Sequence, residues 1–220
     1  MDIWEIMRAR HSVRSYKGRP IEEEKAQALR KAIEELNAES GLRMILYTEE
    51  PEAFAANKPH YGAFKNCRNY IALTGPKGKD EAIGYYGERL VLAAQEMGLN
   101  TCWVAGTYKK GKVASVAREG EKLYSVIAIG YGEDQGSEHR SKPAARVAEL
   151  SDDTPEWFRR GVEAALLAPT AINQQQFFFR ITEGNTVSAR AKLGFYSGVD
   201  LGIVKLHFEL GAGKENFKWE

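Results

Sequence analysis

Two short polar segments near opposite ends of the chain contain the residue types that bind an anion and a flat heterocycle. The first is Arg10-His11-Ser12-Val13-Arg14. Its two guanidinium groups, imidazole and hydroxyl can surround a phosphate with hydrogen-bond donors from several directions. Each charge-assisted hydrogen bond contributes about 1.5–3 kcal/mol, so three or four would hold a phosphate firmly. The alternative is a solvated basic turn at a helix C-terminus, where cations are favoured.

The second segment runs from Pro169 to Gln175 and follows an apolar helical pattern. Pro169 ends that helix, and Thr170, Asn173 and Gln175 then supply donors and acceptors in the connection to a strand. An isoalloxazine ring needs this mixture along its pyrimidine edge, where carbonyls and nitrogens alternate. The alternative is a capped helix end with an asparagine in a turn.

Other catalytic signatures are weak or missing, and the sequence predicts neither a metal site nor a catalytic side chain. His11 and Ser12 are neighbours, which rarely form a nucleophile–base pair, and no G-x-S-x-G elbow supports a hydrolase. His60 with Cys67 is only a weak indication of zinc, because the histidines lack paired metal-ligand spacing. No G-x-G-x-x-G or Walker pattern occurs, so a nicotinamide would be at most a visiting substrate.

The composition is that of a globular protein with no strong preference for nucleic acid or membranes. The 220 residues suit one large domain or two small merged halves, and the 43% hydrophobic content is enough for a sizeable core. A formal net charge of +1 gives no reason to expect nucleic acid as a partner. No apolar run approaches the ~20 residues of a membrane span. Because there are only two cysteines and the charged N-terminus does not resemble a signal peptide, we expect a cytoplasmic protein.

Hydrophobic periodicity predicts helices alternating with strands around the two polar segments. Helices are expected at the N-terminus, after Pro20 and over roughly 80–97, and the residues at 133–142 form the clearest polar loop. Strands are expected at 43–48, 69–74, 101–105, 124–130 and 177–182. This alternation predicts an α+β protein with a mixed β-sheet flanked by helices.

A faint internal repeat accompanies this pattern. Residues 25–48 and 156–182 both read as helix, connection and strand, and the glycine-containing stretch 83–98 is echoed by 199–213. The similarity is either chance resemblance among amphipathic helices or a duplicated half, which would let one chain imitate a two-fold dimer.

Four segments resemble motifs of the FMN-dependent nitroreductase family. Residues 10–16 resemble its R-[RH]-S-x-R-x-[FY] signature, and residues 168–175 resemble its A-P-[ST]-[SA]-x-N-x-Q motif. Residues 97–104 resemble the family's G-L-[GN]-T-C-W-[IV] stretch, and residues 127–132 with 139–143 resemble its late strand and basic segment. The resemblance therefore covers most of the chain and implies a nitroreductase-like fold.

The order of the motifs departs from that of ordinary members, in which the A-P-S-x-x-N motif follows the first signature closely. Here that place holds residues 36–42, which lack the proline and the polar set. The arrangement is similar to a divergent branch of the family with a related second half on the same chain. It implies a single domain over 1–220, with half-repeats of approximately 1–150 and 151–220, that forms an internal pseudo-dimer with one FMN per chain.

The resemblance implies an FMN-dependent NAD(P)H oxidoreductase that passes a hydride through the flavin to a nitroaromatic or quinone. The implied cofactor contacts fall into four groups: Arg10, His11, Ser12 and Arg14 at the phosphate, ribityl chain or ring edge; Arg140 and Lys142 at the phosphate; Pro169, Thr170, Ala171, Asn173 and Gln175 along the ring; and the backbone of Ala105 and Gly106 near the reactive edge. The flavin itself would carry the chemistry, in a monomer or a homodimer. The alternatives are a flavoenzyme with different chemistry and a non-catalytic flavin- or ligand-binding protein.

Overall fold

The computed structural model describes residues 1–54, 63–109, 113 and 116–220. The chain divides into two compact units. The four-stranded unit comprises Ala9–Lys79 and Arg89–Glu138, and the three-stranded unit comprises Met1–Arg8, Asp80–Glu88 and His139–Glu220. Within the described ranges, none of the helices has both the length and the apolar character of a membrane span.

The four-stranded unit is built on an antiparallel sheet with the strand order β1-β2-β4-β3. Its elements are α2 (Glu23–Ser40), β1 (Arg43–Tyr47), β2 (Tyr70–Pro76), β3 (Asn100–Val104) and β4 (Glu121–Gly130). The two central strands are nearly continuous apolar runs and are buried on both faces, whereas the edge strand β1 alternates between buried and half-buried residues. This difference follows from position, because only a central strand covered on both faces needs an uninterrupted apolar sequence.

Both cysteines of the chain belong to the core of the four-stranded unit. Cys67 and Cys102 are free and buried among apolar side chains that include Val13, Tyr16 and Tyr70. Burial disfavours a thiolate, and it raises the pKa of Cys67 to about 12. These thiols are therefore packing groups in the folded protein.

The three-stranded unit contains a second sheet with the strand order β5-β6-β7. Five of its elements lie wholly within the unit: α4 (Glu156–Leu167), β5 (Phe177–Ile181), β6 (Thr186–Ala191), α5 (Ser197–Ala212) and β7 (Lys218–Trp219). It also contains most of α1 (Ile3–Ala9) and the first half of α3 (Asp80–Glu96). Strands β5 and β6 are antiparallel, and β6 and β7 are parallel. An aromatic cluster fills the space between this sheet and the helices, with the rings of Phe179 and Phe208 centred 4.7 Å apart.

Glycines allow the helices of the three-stranded unit to pack with their backbones in contact. A Cβ atom on Gly84 of α3 would lie 1.9 Å from the carbonyl oxygen of Val199 in α5, and a Cβ on Gly202 of α5 would lie 1.9 Å from that of Glu81 in α3. The contact is thus reciprocal, because the same offset in residue number relates Gly84 to Gly202 and Glu81 to Val199. Such an exchange of partners is the pattern of an isologous two-fold interface.

The predicted α+β architecture is confirmed, and all five predicted strands are present within one to three residues of their expected ends. The structure differs in having two sheets, and among the described strands the one parallel pair, β6 with β7, belongs to the second sheet. Strands β6 and β7 were not predicted. Thr186–Ala191 alternates polar and apolar residues, but its apolar members are one valine and two small alanines, so its hydrophobic signal is weak, and β7 has only two residues.

Candidate functional site

The basic segment at residues 10–16 lies along the edge of β3 in the four-stranded unit. Ser12 pairs with Thr101 as a parallel bridge, and the Val13 amide donates to the Thr101 carbonyl at 3.0 Å. Val13 is fully buried, and the hydroxyl of buried Tyr16 donates to its carbonyl at 2.9 Å. These contacts fix the backbone, so the intervening polar side chains are presented by a rigid support rather than by a loose tail.

Three of the predicted phosphate-binding groups affect the same buried thiol of this unit. Burial raises the pKa of the Cys102 thiol, and the Arg14 charge, a hydrogen bond with Ser12 and the Arg10 charge all act in the opposite direction. Since such effects weaken with distance, all three side chains lie in the neighbourhood of this thiol. Arg10 is 4% exposed and is the one arginine or lysine that the described part of the chain buries.

Arg14 contributes a charge that the described residues do not neutralise. Its side chain is exposed, and its guanidinium forms no hydrogen bond or ion pair with any described residue. A guanidinium matches the oxygens of a phosphate in a bidentate arrangement. The buried Arg10, the Ser12 hydroxyl and the exposed Arg14 together fit a phosphate group. His11 lies between the two arginines in the sequence and could donate to the same group.

Two glycines shape the surroundings of the basic segment. Gly136 has a φ of +75°, and a Cβ atom there would lie 2.7 Å from the Cβ of His11, so the loop after β4 closes tightly over the segment. Gly106 comes directly after Ala105 and β3, and no atom of the described residues lies within 4 Å of the position its Cβ would take.

The turn at residues 170–175, in the three-stranded unit, has an unusual backbone. Ile172, Asn173 and Gln175 have φ values of 47°, 55° and 45°, respectively. Left-handed conformations are uncommon for residues other than glycine, and a β-branched residue such as isoleucine is especially disfavoured. Each strained residue destabilises the fold by about 1–3 kcal/mol, and such residues cluster at ligand clamps and active sites.

Asp200 and Gln174 hold this turn from one side. The Ala171 amide donates to Asp200 Oδ1 at 3.0 Å and to Oδ2 at 3.1 Å, and Gln174 Nε2 donates to Oδ2 at 2.8 Å. Gln174 also joins the turn to the loop before α5, because its Nε2 donates to the Phe195 carbonyl at 2.5 Å. The turn is therefore braced by a carboxylate at the start of α5.

The basic segment at residues 139–142 braces the turn from another side. The Asn173 and Gln175 side-chain amides donate to the Arg140 carbonyl at 3.0 and 2.9 Å, and Gln175 Oε1 accepts from the Lys142 amide at 2.8 Å. The Lys142 ammonium donates to the Gln174 carbonyl at 2.6 Å. In this structure Lys142 thus supports the turn, while the exposed Arg140 guanidinium forms no hydrogen bond or ion pair with the residues that the structure describes.

Asp200 is the titratable group most affected by this arrangement. It is 3% exposed, and burial raises its pKa to about 6, although the hydrogen bonds from Gln174 and Ala171 act in the opposite direction. Among the described residues, no neighbouring charge contributes to the raised pKa of Asp200. The donors that the structure places on this carboxylate are neutral amides.

The surface beside the turn is apolar. Ile172 on the turn is 68% exposed, and Leu193 and Phe195 on the loop bound to Gln174 are 99% and 72% exposed. Gln174 joins the two segments that carry these side chains, and contiguous apolar surface is typical of ligand or partner sites. They suit a flat, weakly polar molecule.

Sequence reasoning placed Pro169, Thr170, Ala171, Asn173 and Gln175 at this turn but missed Asp200 and Gln174. One signal was available for Asp200. It is the one acid in the apolar run Val199–Val204, and a buried carboxylate in such a run needs partners. Gln174 carried no comparable signal, because a glutamine in a polar turn is ordinary.

Comparison with solved structures shows the same fold. A protein from Thermotoga maritima described as a "putative nitroreductase" matches with a TM-score of 0.68 at 23% identity, over 98% of this chain and 85% of that chain. A "putative nitroreductase in complex with FMN" from Desulfovibrio desulfuricans matches with a TM-score of 0.55 at 16% identity, over 70% and 98% of the two chains.

A "Putative NADH dehydrogenase/NAD(P)H nitroreductase" from Parabacteroides distasonis matches with a TM-score of 0.54 at 22% identity, over 68% of this chain and 98% of that chain. No curated protein matches the sequence. The model of the family described as "Putative TM nitroreductase" matches residues 2–212, nearly the whole chain. The chain therefore belongs to this nitroreductase family.

Proposed function

We propose that the protein binds FMN and acts as an oxidoreductase that takes electrons from NADH or NADPH and reduces an electron-poor acceptor. The observation that carries this proposal is the basic segment fixed along β3, which combines the buried Arg10, Ser12 and the exposed Arg14. Membership of a nitroreductase family supports it, as does the FMN in the Desulfovibrio desulfuricans neighbour. The nicotinamide donor is suggested by the description of the Parabacteroides distasonis neighbour.

The residues of the chain fit the chemical parts of FMN. Arg10, Ser12 and Arg14 offer charged and neutral donors for the phosphate, with His11 beside them. The rigid turn offers Pro169, Thr170, Ala171, Asn173 and Gln175 to the ring, and the open Gly106 backbone with Ala105 would face the reactive edge. Arg140 would be a second contact to the phosphate, and Lys142 would support the turn through its hydrogen bonds to the Gln174 and Gln175 carbonyls.

When bound, FMN supplies the chemistry of hydride acceptance and release, and the protein supplies binding and electrostatics. The positive charges of Arg10 and Arg14 would favour an anionic reduced ring. The exposed apolar side chains of Ile172 and Phe195 offer a surface on which a nicotinamide or an aromatic acceptor can stack. No side-chain acid is required, since solvent can supply protons.

We propose further that the chain is an internal pseudo-dimer with one flavin site. The reciprocal approach of α3 and α5 at Gly84 and Gly202 supports a duplicated half. The basic signature occurs once, at residues 10–14, and the complementary turn occurs once, at residues 169–175. A chain that retains one copy of each segment would form one site.

The proposal predicts a yellow protein that holds one FMN per polypeptide. Apoprotein saturated with FMN and freed of excess should release one flavin per chain on denaturation, and NADH or NADPH should bleach the bound flavin without oxygen. A nitroaromatic or quinone should then restore the colour. Two flavins per chain would contradict the pseudo-dimer, whereas a bound flavin that neither nucleotide bleaches would favour a non-catalytic binding protein.

A further inference from the structure

We propose that Asp200 is the positioning residue that holds the 170–175 turn in its flavin-binding conformation, an inference that rests on the proposed function. Asp200 lies in the first turn of α5, outside the motifs that resemble the family's flavin-binding segments. It acts through the turn and not by touching the ligand. Its role follows from three features of its surroundings.

The first feature is that the carboxylate accepts hydrogen bonds from the residues on either side of Ile172 and Asn173, which both have a positive φ. Ala171 precedes Ile172 and Asn173, and Gln174 follows them; both donate to Asp200, from the Ala171 amide and the Gln174 side chain. A bond on each side opposes relaxation of the left-handed residues between them. Loss of these bonds would remove this support from both sides of Ile172 and Asn173.

The second feature is that Gln174 can present only a donor to residue 200. Its Nε2 also donates to the Phe195 carbonyl at 2.5 Å, and its Oε1 accepts from the Phe195 amide at 3.2 Å. A Cβ atom at Gly194 would lie 2.5 Å from Oε1, so the loop packs directly against this amide. If the Gln174 amide were flipped, Nε2 would face the Phe195 amide and Oε1 would face the Phe195 carbonyl. Gln174 therefore presents a donor to residue 200, whose two terminal side-chain atoms must both be acceptors.

The third feature is that the charge of Asp200 does not favour folding. Burial raises the pKa of this carboxyl to about 6, so the folded protein binds its proton more tightly than the unfolded chain does. The contribution of this group to stability therefore falls as the pH rises from about 4 to about 6. A buried ionised carboxylate at neutral pH thus opposes stability, and its benefit lies in the geometry that it imposes on the turn.

The test compares Asp200→Asn with a control on the same helix. Asparagine has nearly the same shape, but its amide group would face the donor of Ala171 or Gln174. Glu209→Gln is the matched control, because Glu209 is also a buried carboxylate of α5 and accepts from Tyr85 and Trp219. Near neutral pH, we expect Asp200→Asn to raise the FMN dissociation constant about tenfold and to alter the visible circular dichroism of the bound flavin, with neither effect in Glu209→Gln.

The pH dependence separates positioning from general weakening. The phosphate of FMN titrates near pH 6 in every variant, so the ratio of the variant and wild-type dissociation constants cancels its effect. This ratio should fall towards one as the pH is lowered through about 6, because wild-type Asp200 then becomes neutral. A ratio of one near neutral pH, or a ratio that does not change with pH, would overturn the inference.

A second variant covers the case in which Asp200→Asn does not fold. Gln174→Met removes the side-chain donor and leaves Asp200 in place, and it should weaken FMN binding by a similar factor. Unchanged affinity in Gln174→Met would overturn the inference. If the wild-type protein itself does not bind FMN, the proposed function fails and the inference fails with it, whereas equal affinities in wild type and variants refute the inference alone.

Discussion

Arg10→Ala is expected to weaken FMN binding about a hundredfold or more, the largest effect on the cofactor that we predict for a single substitution. Arg10 is 4% exposed and lies on a backbone fixed along β3, so its guanidinium is already desolvated and oriented. Loss of two charge-assisted hydrogen bonds to a phosphate corresponds to about 3 kcal/mol or more. Fluorescence titration of the apoprotein with FMN measures the change directly.

Riboflavin provides the discriminating comparison, because it has the same ring without the phosphate. Arg10→Ala should have much less effect on riboflavin than on FMN. Arg8→Ala is the control, since Arg8 is two residues away with a side chain 59% exposed that contacts Glu163 and the Trp4 ring. An equal loss of both ligands in Arg10→Ala would show that Arg10 acts on the ring or on the fold, and the phosphate assignment would be wrong.

Gly202→Ala is expected to destabilise the three-stranded unit by about 3 kcal/mol or more. The added Cβ would lie 1.9 Å from the Glu81 carbonyl oxygen and 2.6 Å from the Tyr85 amide nitrogen. Overpacking usually destabilises by 1–3 kcal/mol, and here the obstacle is helix backbone, which cannot turn aside as a side chain can. The free energy of unfolding in urea measures the loss.

The reciprocal variant and a double variant sharpen this test. Gly84→Ala should have an effect of similar size, because its Cβ would lie 1.9 Å from the Val199 carbonyl oxygen. Both substitutions force the same two helices apart, so the double variant should lose less stability than the two single losses added together. Gly106→Ala is the control, since its Cβ would lie more than 4 Å from every atom in the described part of the chain. Stability within about 0.5 kcal/mol of wild type in both single variants would contradict the close approach.

The sequence was sufficient to predict the strands that bury apolar runs. The apolar residues of β2 and β4 fill the centre of their sheet, and the run that ends at Gly130 marks β4 without further information. In contrast, β7 consists of Lys218 and Trp219 and exists because Thr186 and Val187 pair with it. A strand that depends on its partner cannot be recognised from its own residues.

For the candidate site, the sequence indicated the residue types but not the backbone. Isoleucine strongly disfavours a positive φ, yet Ile172 adopts one because the contacts of Asp200, Gln174 and Gln175 surround it. Local propensity therefore pointed away from the observed turn. Lys142 illustrates the same limit, since its position suggested a phosphate contact while its ammonium lies on the carbonyl oxygens of Gln174 and Gln175.

The distribution of cysteine and tryptophan gives the two units separate reporters. Both cysteines lie in the core of the four-stranded unit, so thiol reagents will modify them only when that unit opens. Three of the four tryptophans, Trp4, Trp157 and Trp219, lie in the three-stranded unit, and intrinsic fluorescence will follow mainly its unfolding. Thiol labelling and fluorescence recorded along one denaturation series would reveal whether the two units melt together or in succession, without any engineered label.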